Sequence, residues 1–181
     1  MSHILNISTP RLRIRNLHTS DLPEFYAYRS NPEVTKYQGF DVMTMEEAKK
    51  FIEEQKDQEF GKVGEWVQYG IENLKTKKVI GDCAVKLDAL ENRIAEVGIT
   101  ISDLHQKQGY AKETLKGLLS FLFNNNICRV VETVDSENVA AVSLLRSIGF
   151  RQEAHFIENI FFKGEWASEF QFAMLKREWE G

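Results

Sequence analysis

Apolar residues recur with two different periods along this chain, and the points where the period changes mark its elements. In the segment Arg11 to Arg15, Leu12 and Ile14 face one side and three arginines the other, which predicts a first strand. Thr19-Ser20-Asp21 offers caps for a helix through about Arg29, with Pro23 in a first turn whose N–H groups lack intrahelical partners anyway. Asn31-Pro32-Glu33 restarts a short helical turn. Thr44 and Glu47 form a capping box ahead of an apolar stripe of Met45, Ala48, Phe51 and Ile52, a helix that Gly61 closes. From Trp66 the period falls to two. Strands are expected at Trp66 to Ile71, Val79 to Leu87 and Ile94 to Ser102, joined by polar turns as an antiparallel meander. Helical spacing returns with Leu115, Leu118, Leu119 and Leu122 and stops at Asn124-Asn125-Asn126. A buried-looking strand at Arg129 to Val134 and a helix from about Asn138 to Ile148, ended by Gly149, come next. Two strands around Phe150 to Phe162 and Trp166 to Leu175 meet at a turn, Lys163-Gly164.

The order β-α-α-β-β-β-α-β-α-β-β describes an α+β (mixed α/β) fold: a central twisted mixed sheet of about seven strands flanked by about four helices, with a βαβ crossover in its second half. The tripeptide Gly-Glu-Trp recurs at 64–66 and 164–166. Nothing around the two copies matches, so they are two turns launching aromatic strands and not a duplicated domain.

Composition narrows the partners. The 181 residues suit a single domain, and 43% hydrophobic with 28% charged residues is ordinary for a globular one. A net charge of −4 gives no basic footprint for nucleic acid. The longest apolar stretches fall far below a membrane span, and the first residues lack a signal-peptide pattern, so a cytoplasmic protein is expected. Cys83 and Cys128, 45 positions apart, are expected to be buried free thiols. Four histidines without metal-ligand spacing and no GxSxG elbow argue against a metal site and a serine triad.

The chemistry concentrates in Ala95 to Thr114, where a strand runs through a Gln-rich loop with one glycine directly into a helix. Unpaired N–H groups at such a junction point along the positive helix dipole and suit an anionic phosphate. Gly109 allows a turn and a close approach, and Lys107 and Lys112 add charge. Neither a nucleotide-hydrolysing P-loop nor a dinucleotide fingerprint is present.

Gln106-Lys107-Gln108-Gly109-Tyr110-Ala111 resembles the Q/R-x-x-G-x-G/A loop of the GNAT N-acetyltransferase superfamily, which cradles the pyrophosphate of acetyl-coenzyme A. Glu96-Val97-Gly98-Ile99 looks like the strand preceding that loop, and Asn138 followed by Gly149-Phe150 is similar to the second cofactor motif. Arg11 to Arg15, Arg29 to Val34 and Gly164-Glu165-Trp166 resemble the branch of ribosomal-protein-alanine N-acetyltransferases, and the likeness covers about residues 8–179. It implies an acetyl-CoA-dependent transfer to a primary amine by direct attack in a ternary complex, without metal. The protein N-terminal α-amine is the acceptor it suggests, against a small-molecule amine such as a polyamine, amino acid or aminoglycoside. Homodimers are frequent in such families.

Carried over by position, the backbone from Gln106 through Ala111 would hold the pyrophosphate, with Lys112 beside it. The edges of Ile99, Thr100 and Ile101 would pair with the pantetheine arm between two splayed strands, and Asn138 would contact that arm while capping its helix. A backbone N–H near Ile99 would steady the oxyanion. Glu96 would be the general base, directly or through water, since an α-amine near pKa 8 is mostly protonated at pH 7; its rival role is a strand-edge salt bridge. Two positions depart from the family pattern: Leu145 stands where some members carry a Tyr acid, and Ala141 where related members often have Ser. That departure also motivates a reading from another class, a non-catalytic acetyl-CoA-binding sensor or partner subunit. The carboxylates among residues 46–59 are expected to form a solvated helix face, and the aromatic run His155 to Phe162 with Trp166 to be chiefly strand core.

Overall fold

The computed structural model describes residues 4–180. Among them, eight strands form one open mixed sheet: β1 (Asn6–Ser8), β2 (Leu12–Asn16), β3 (Val67–Asn73), β4 (Val79–Leu87), β5 (Ile94–Ile101), β6 (Arg129–Asp135), β7 (Arg151–Phe162) and β8 (Glu165–Leu175). They lie in the order β1-β2-β3-β4-β5-β6-β8-β7. Five helices accompany them: α1 (Leu22–Arg29), α2 (Pro32–Thr35), α3 (Met45–Gln55), α4 (Tyr110–Asn124) and α5 (Val139–Ile148). The expected order holds, with one more strand and one more helix than expected. β1 has three residues, too few to show a period, and Asn31-Pro32-Glu33 opens a helix of its own because the Asn31 side chain accepts from Glu33 N–H.

Neighbouring strands run antiparallel except β5 and β6, which are parallel and pair only at Ile94–Arg129, Ala95–Val130 and Glu96–Val131. Beyond those pairs the two strands part company. β5 stays on β4 to its end and β6 stays on β8 to its end, so a gap opens between Val97–Ile101 on one side and Glu132–Asp135 on the other.

Alternation along each strand separates two layers. Cys83, Val85, Val97 and Ile101 join the large core with Leu115, Leu118, Leu119 and Leu122 of α4 and Val142 and Leu145 of α5. Asp82 points the other way, toward Tyr28 and Arg29 of α1, beside a smaller core of Phe25, Tyr28, Ala48 and Ile52. The α3 stripe behaves as its spacing predicts: the Thr44–Glu47 capping box forms, Ala48 and Ile52 are buried, and Glu46, Glu47, Glu53 and Glu54 face solvent. That helix ends at Gln55, before Gly61.

Two expectations fail. Cys83 is buried, but Cys128 is exposed, because it lies in the turn ahead of β6 and not inside it. The aromatic run of β7 is not core: Ile157 is 66% and Phe161 62% exposed, and Trp166 on β8 is 62% exposed. β7 is the sheet's outer strand, and this length of hairpin extends past the helices that would cover it. No helix among the described residues is long and apolar enough to cross a membrane.

Candidate active site

The end of β5 leads through a tight turn, Asp103–His105, into the loop that starts α4. Gly109 is the N-cap of α4 with φ +80°, a left-handed conformation that a side chain would strain. Glu113 N–H is the first to find a helical acceptor, Gly109 O at 3.1 Å. Among the described residues, the N–H groups of Lys107 through Lys112 have no partner. Six orphan donors in sequence, at the positive end of a 15-residue helix, form an anion cradle.

A side chain not singled out from the sequence holds the cradle in shape. Arg11 donates to Gln108 O at 3.1 Å, bonds Glu113 Oε2 through Nε at 2.6 Å and lies 4.4 Å over the Tyr110 ring. Its place in the RLRIR pattern identified a strand, not a partner 102 residues away. Tyr110 OH accepts from Asn73 at 3.2 Å, and Lys112 Nζ donates to Ser147 O at 3.1 Å, tying α4 to α5.

The free edge of β5 can be identified from its caps. Gln38 Nε2 donates to Ile99 O at 3.5 Å and Gln106 Nε2 to Ile101 O at 3.0 Å, so both carbonyls point away from β4, and the alternating Thr100 backbone points toward it. Asn138 caps α5, its Oδ1 accepting from Ala141 N–H at 3.1 Å. A cleft of about 450 Å³ brings these parts together: Ile99, Thr100, Ile101, Gln106, Lys107, Gly109, Tyr110, Ala111, Lys112 and Asn138 all line it, with Glu33 and Gln38 from and after α2. Two expected residues are not on its wall. Gln108 turns outward to Leu104 O, and Glu96 lies farther along β5.

Three acids of β4, β5 and β6 lie outside this wall. Glu96 is partly exposed and pairs with Lys86 of β4 at 2.5 Å, while Lys86 lies 4.7 Å from the Trp66 ring centre. Asp82 is wholly buried and fully engaged: Arg29 bonds it twice, at 2.7 and 3.0 Å, Tyr28 OH donates at 2.6 Å, and Gln68 donates as well. Glu132 is buried too, at 6% exposed, yet among the described residues its side chain finds no hydrogen-bond partner, and its Oε2 is sealed from solvent. Burial, and secondarily the negative charge of Glu96, push its carboxyl up to about 8. Sequence inspection missed Glu132 because Val-Val-Glu-Thr-Val alternates poorly and leaves the strand's inward face undefined.

Comparison with known proteins agrees with this arrangement. The model of the GNAT acetyltransferase domain matches residues 11–151. The chain is 30% identical to the uncharacterized N-acetyltransferase p20 of Bacillus licheniformis, over 96% of this chain and 97% of that protein. Among solved structures, a ribosomal L7/L12 α-N-protein acetyltransferase in complex with coenzyme A aligns with TM-score 0.81 at 17% identity, covering 94% of this chain and 98% of that one. The spermidine N-acetyltransferase of Vibrio cholerae, in complex with CoA and spermine, aligns with TM-score 0.79 at 22% identity, over 94% and 98%. With a family model over most of its length and an N-acetyltransferase relative end to end, the chain belongs to the GNAT acetyltransferase family and is an N-acetyltransferase.

Proposed function

We propose that the chain transfers an acetyl group from acetyl-CoA to the α-amine of a protein N-terminus, with Glu96 as the base. The observation that carries the donor half is the run of six unpartnered N–H groups at Lys107–Lys112. Those groups would hold the diphosphate, with Lys107 as added charge, and Gln106, Gln108, Gly109, Tyr110 and Ala111 shape the loop around it. When bound, acetyl-CoA supplies a thioester, an acyl group on a good leaving thiol. The outward-facing backbone of Ile99 and Ile101 offers strand-like hydrogen bonds to its extended arm, and Asn138 flanks the far side of the gap. Gln38 has to yield Ile99 O for that pairing.

The sheet's other face supports the acceptor half. Glu96 and Lys86 lie on the side of Asp82 and α1, opposite the α4 core. Glu96 accepts a proton from the incoming ammonium once Lys86 shares it with the acceptor, and a free amine is then in position to attack. The non-catalytic sensor reading loses its ground now that the chain stands among N-acetyltransferases.

A polypeptide acceptor is favoured by the β7–β8 hairpin. β7 is an edge strand, and the exposed apolar side chains Phe156, Ile157, Ile160 and Phe161 suit an extended chain better than a bare polycation. Lys163 near the hairpin tip bonds the carbonyls of Thr35 and Phe40, so the hairpin borders the same opening as α2. Glu33 on the cleft wall favours the second reading, a polyamine. Mass spectrometry of an acceptor library, containing N-terminal peptides and polyamines with acetyl-CoA, decides between them. Acetylated peptides are expected, and products confined to small amines would overturn the protein reading.

A further inference from the structure

We propose that Glu132 is the group that protonates the departing thiolate, a buried acid at the closed end of the β5–β6 gap; the inference rests on the acetyl-transfer reading above. The last β5–β6 pair is Glu96–Val131, so Glu132 is the first residue of β6 beyond the ladder. From there the gap widens toward Ile101 and Asn138, which line the cleft together with the anion cradle. A donor anchored at Lys107–Lys112 and stretched along the free edge of β5 therefore runs from the open end to the closed end. Four residue steps of about 3.3 Å separate Ile101 from Val97. An arm of that length would bring its reacting end to the level of Val97 and Glu132, just beyond Ile99 on the cleft wall.

The faces are right for two separate proton tasks. Ala95 pairs with Val130, so Glu132 shares the face of Val97 and Val130, toward α4 and α5. Glu96 pairs with Val131 and shares the opposite face. One carboxylate thus stands at the acceptor side of the closed end and one at the donor side. They feel each other's charge, but each addresses a different reacting atom.

Among the described residues, no side chain forms a hydrogen bond or ion pair with Glu132. Its cross-strand neighbour on β8 is Phe172, wholly buried. The charged groups of the packed elements are occupied elsewhere: Lys112 on Ser147 O, Glu113 on Arg11, Arg146 on Gln152, and Arg129 on Glu153. Lys116 lies over Trp179. Among the described residues, Glu96 is the charge that acts on it, and that charge favours the protonated form. A carboxyl held up to about 8 keeps its proton at neutral pH and gives it readily to a thiolate whose own thiol titrates near 8.5.

The step balances. The amine nitrogen forms its bond to the acyl carbon, the carbon–sulfur bond breaks with its electron pair on sulfur, and the Glu132 proton moves to that sulfur. The proton lost by the amine leaves through Glu96 or water, and Glu132 regains one from solvent after the products depart.

The test compares wild type with Glu132→Gln, and with Glu132→Leu should the first fail to fold. Acetyl-CoA is the donor, spermidine and a peptide with a free N-terminal alanine are the acceptor probes, and thiol release is followed from pH 6 to 9.5. Glu132→Gln is expected to keep its thermal shift with acetyl-CoA, lose roughly 10²- to 10⁴-fold in kcat, and lack the alkaline decline near pH 8 that is expected of wild type. Infrared difference spectra of ligand-free protein, with labelled Glu, are expected to show a protonated carboxyl at pH 7 that the variant lacks. An ionised Glu132 at pH 6, or an unchanged kcat and alkaline limb in Glu132→Gln, would overturn the proposal. A wild type that gives no thermal shift with acetyl-CoA overturns the acetyl-transfer reading instead.

Discussion

Asp82 and Glu132 are both buried acids of the same sheet, one strand apart from β5 on either side, and they are opposites. Asp82 takes two bonds from Arg29, one from Tyr28 and one from Gln68, so the folded chain compensates its charge completely. Among the described residues, none hydrogen-bonds the Glu132 side chain, and its Oε2 is sealed from solvent. A buried charge with a full set of partners fixes a fold, here pinning α1 to β4. A buried acid without partners stays neutral and holds a proton that it can release. The molecule thus places a fully partnered carboxylate on the α1 face of the sheet and an unpartnered one on the α4–α5 face, with the partly exposed Glu96 between them in accessibility.

The contrast is most severely tested at Arg29. Arg29→Met leaves Asp82 buried and unpaired, which is expected to cost about 3–5 kcal/mol, read from the midpoint of urea denaturation. Glu132→Gln is expected to do the reverse. In wild type, between pH 4.5 and about 8, the folded chain keeps a proton on Glu132 that the unfolded chain has lost. This contribution is whole below pH 4.5 and disappears as pH rises through 8, so the melting temperature of wild type falls over that window while that of Glu132→Gln falls less. Equal slopes would erase the distinction between the two acids.

A third outcome concerns the cradle. Acetyl-CoA at 100 times its dissociation constant should stabilise wild type by about 2.7 kcal/mol, and Gly109→Trp should abolish that shift, since Gly109 sits at φ +80° beside Arg11. The smallest stability effect is expected at Glu96→Gln. Its ion pair with Lys86 is partly exposed on both sides, so its loss should change stability by less than about 1 kcal/mol, while kcat/KM falls. A large destabilisation with unchanged kinetics would make Glu96 structural, like Asp82.

How much of this was legible in the sequence differs between the two acids for physical reasons. β4, from Val79 to Leu87, and the stripe of α4 announced themselves, because period and burial coincide where a helix covers a strand. The loop ahead of α4 was legible because Gly109 and a strand-to-helix junction are local features. Partnerships across the fold were not. Arg29 lies 53 residues from Asp82, and Arg11 lies 102 from Glu113, separations at which no spacing rule applies. Glu132 was hidden for a further reason: what distinguishes it is the absence of a partner, which exists only once every neighbour has been placed. The aromatic residues of β7 misled in the other direction, since composition reports the strand but not whether anything covers it.

The brief ladder between β5 and β6 has a mechanical meaning as well. Among the described residues, the ladder that joins the five strands on one side to the three on the other has three residue pairs, extended only by the Cys128 N–H bond to Arg93 O just ahead of it. The sheet is a fabric with a seam sewn for only part of its length. A strand-like donor lying in the open part would act as the missing thread, so its arrival should slow amide exchange along both lips of the seam, at Val97–Ile101 and Glu132–Asp135, far more than in the continuous weave of β3 and β4.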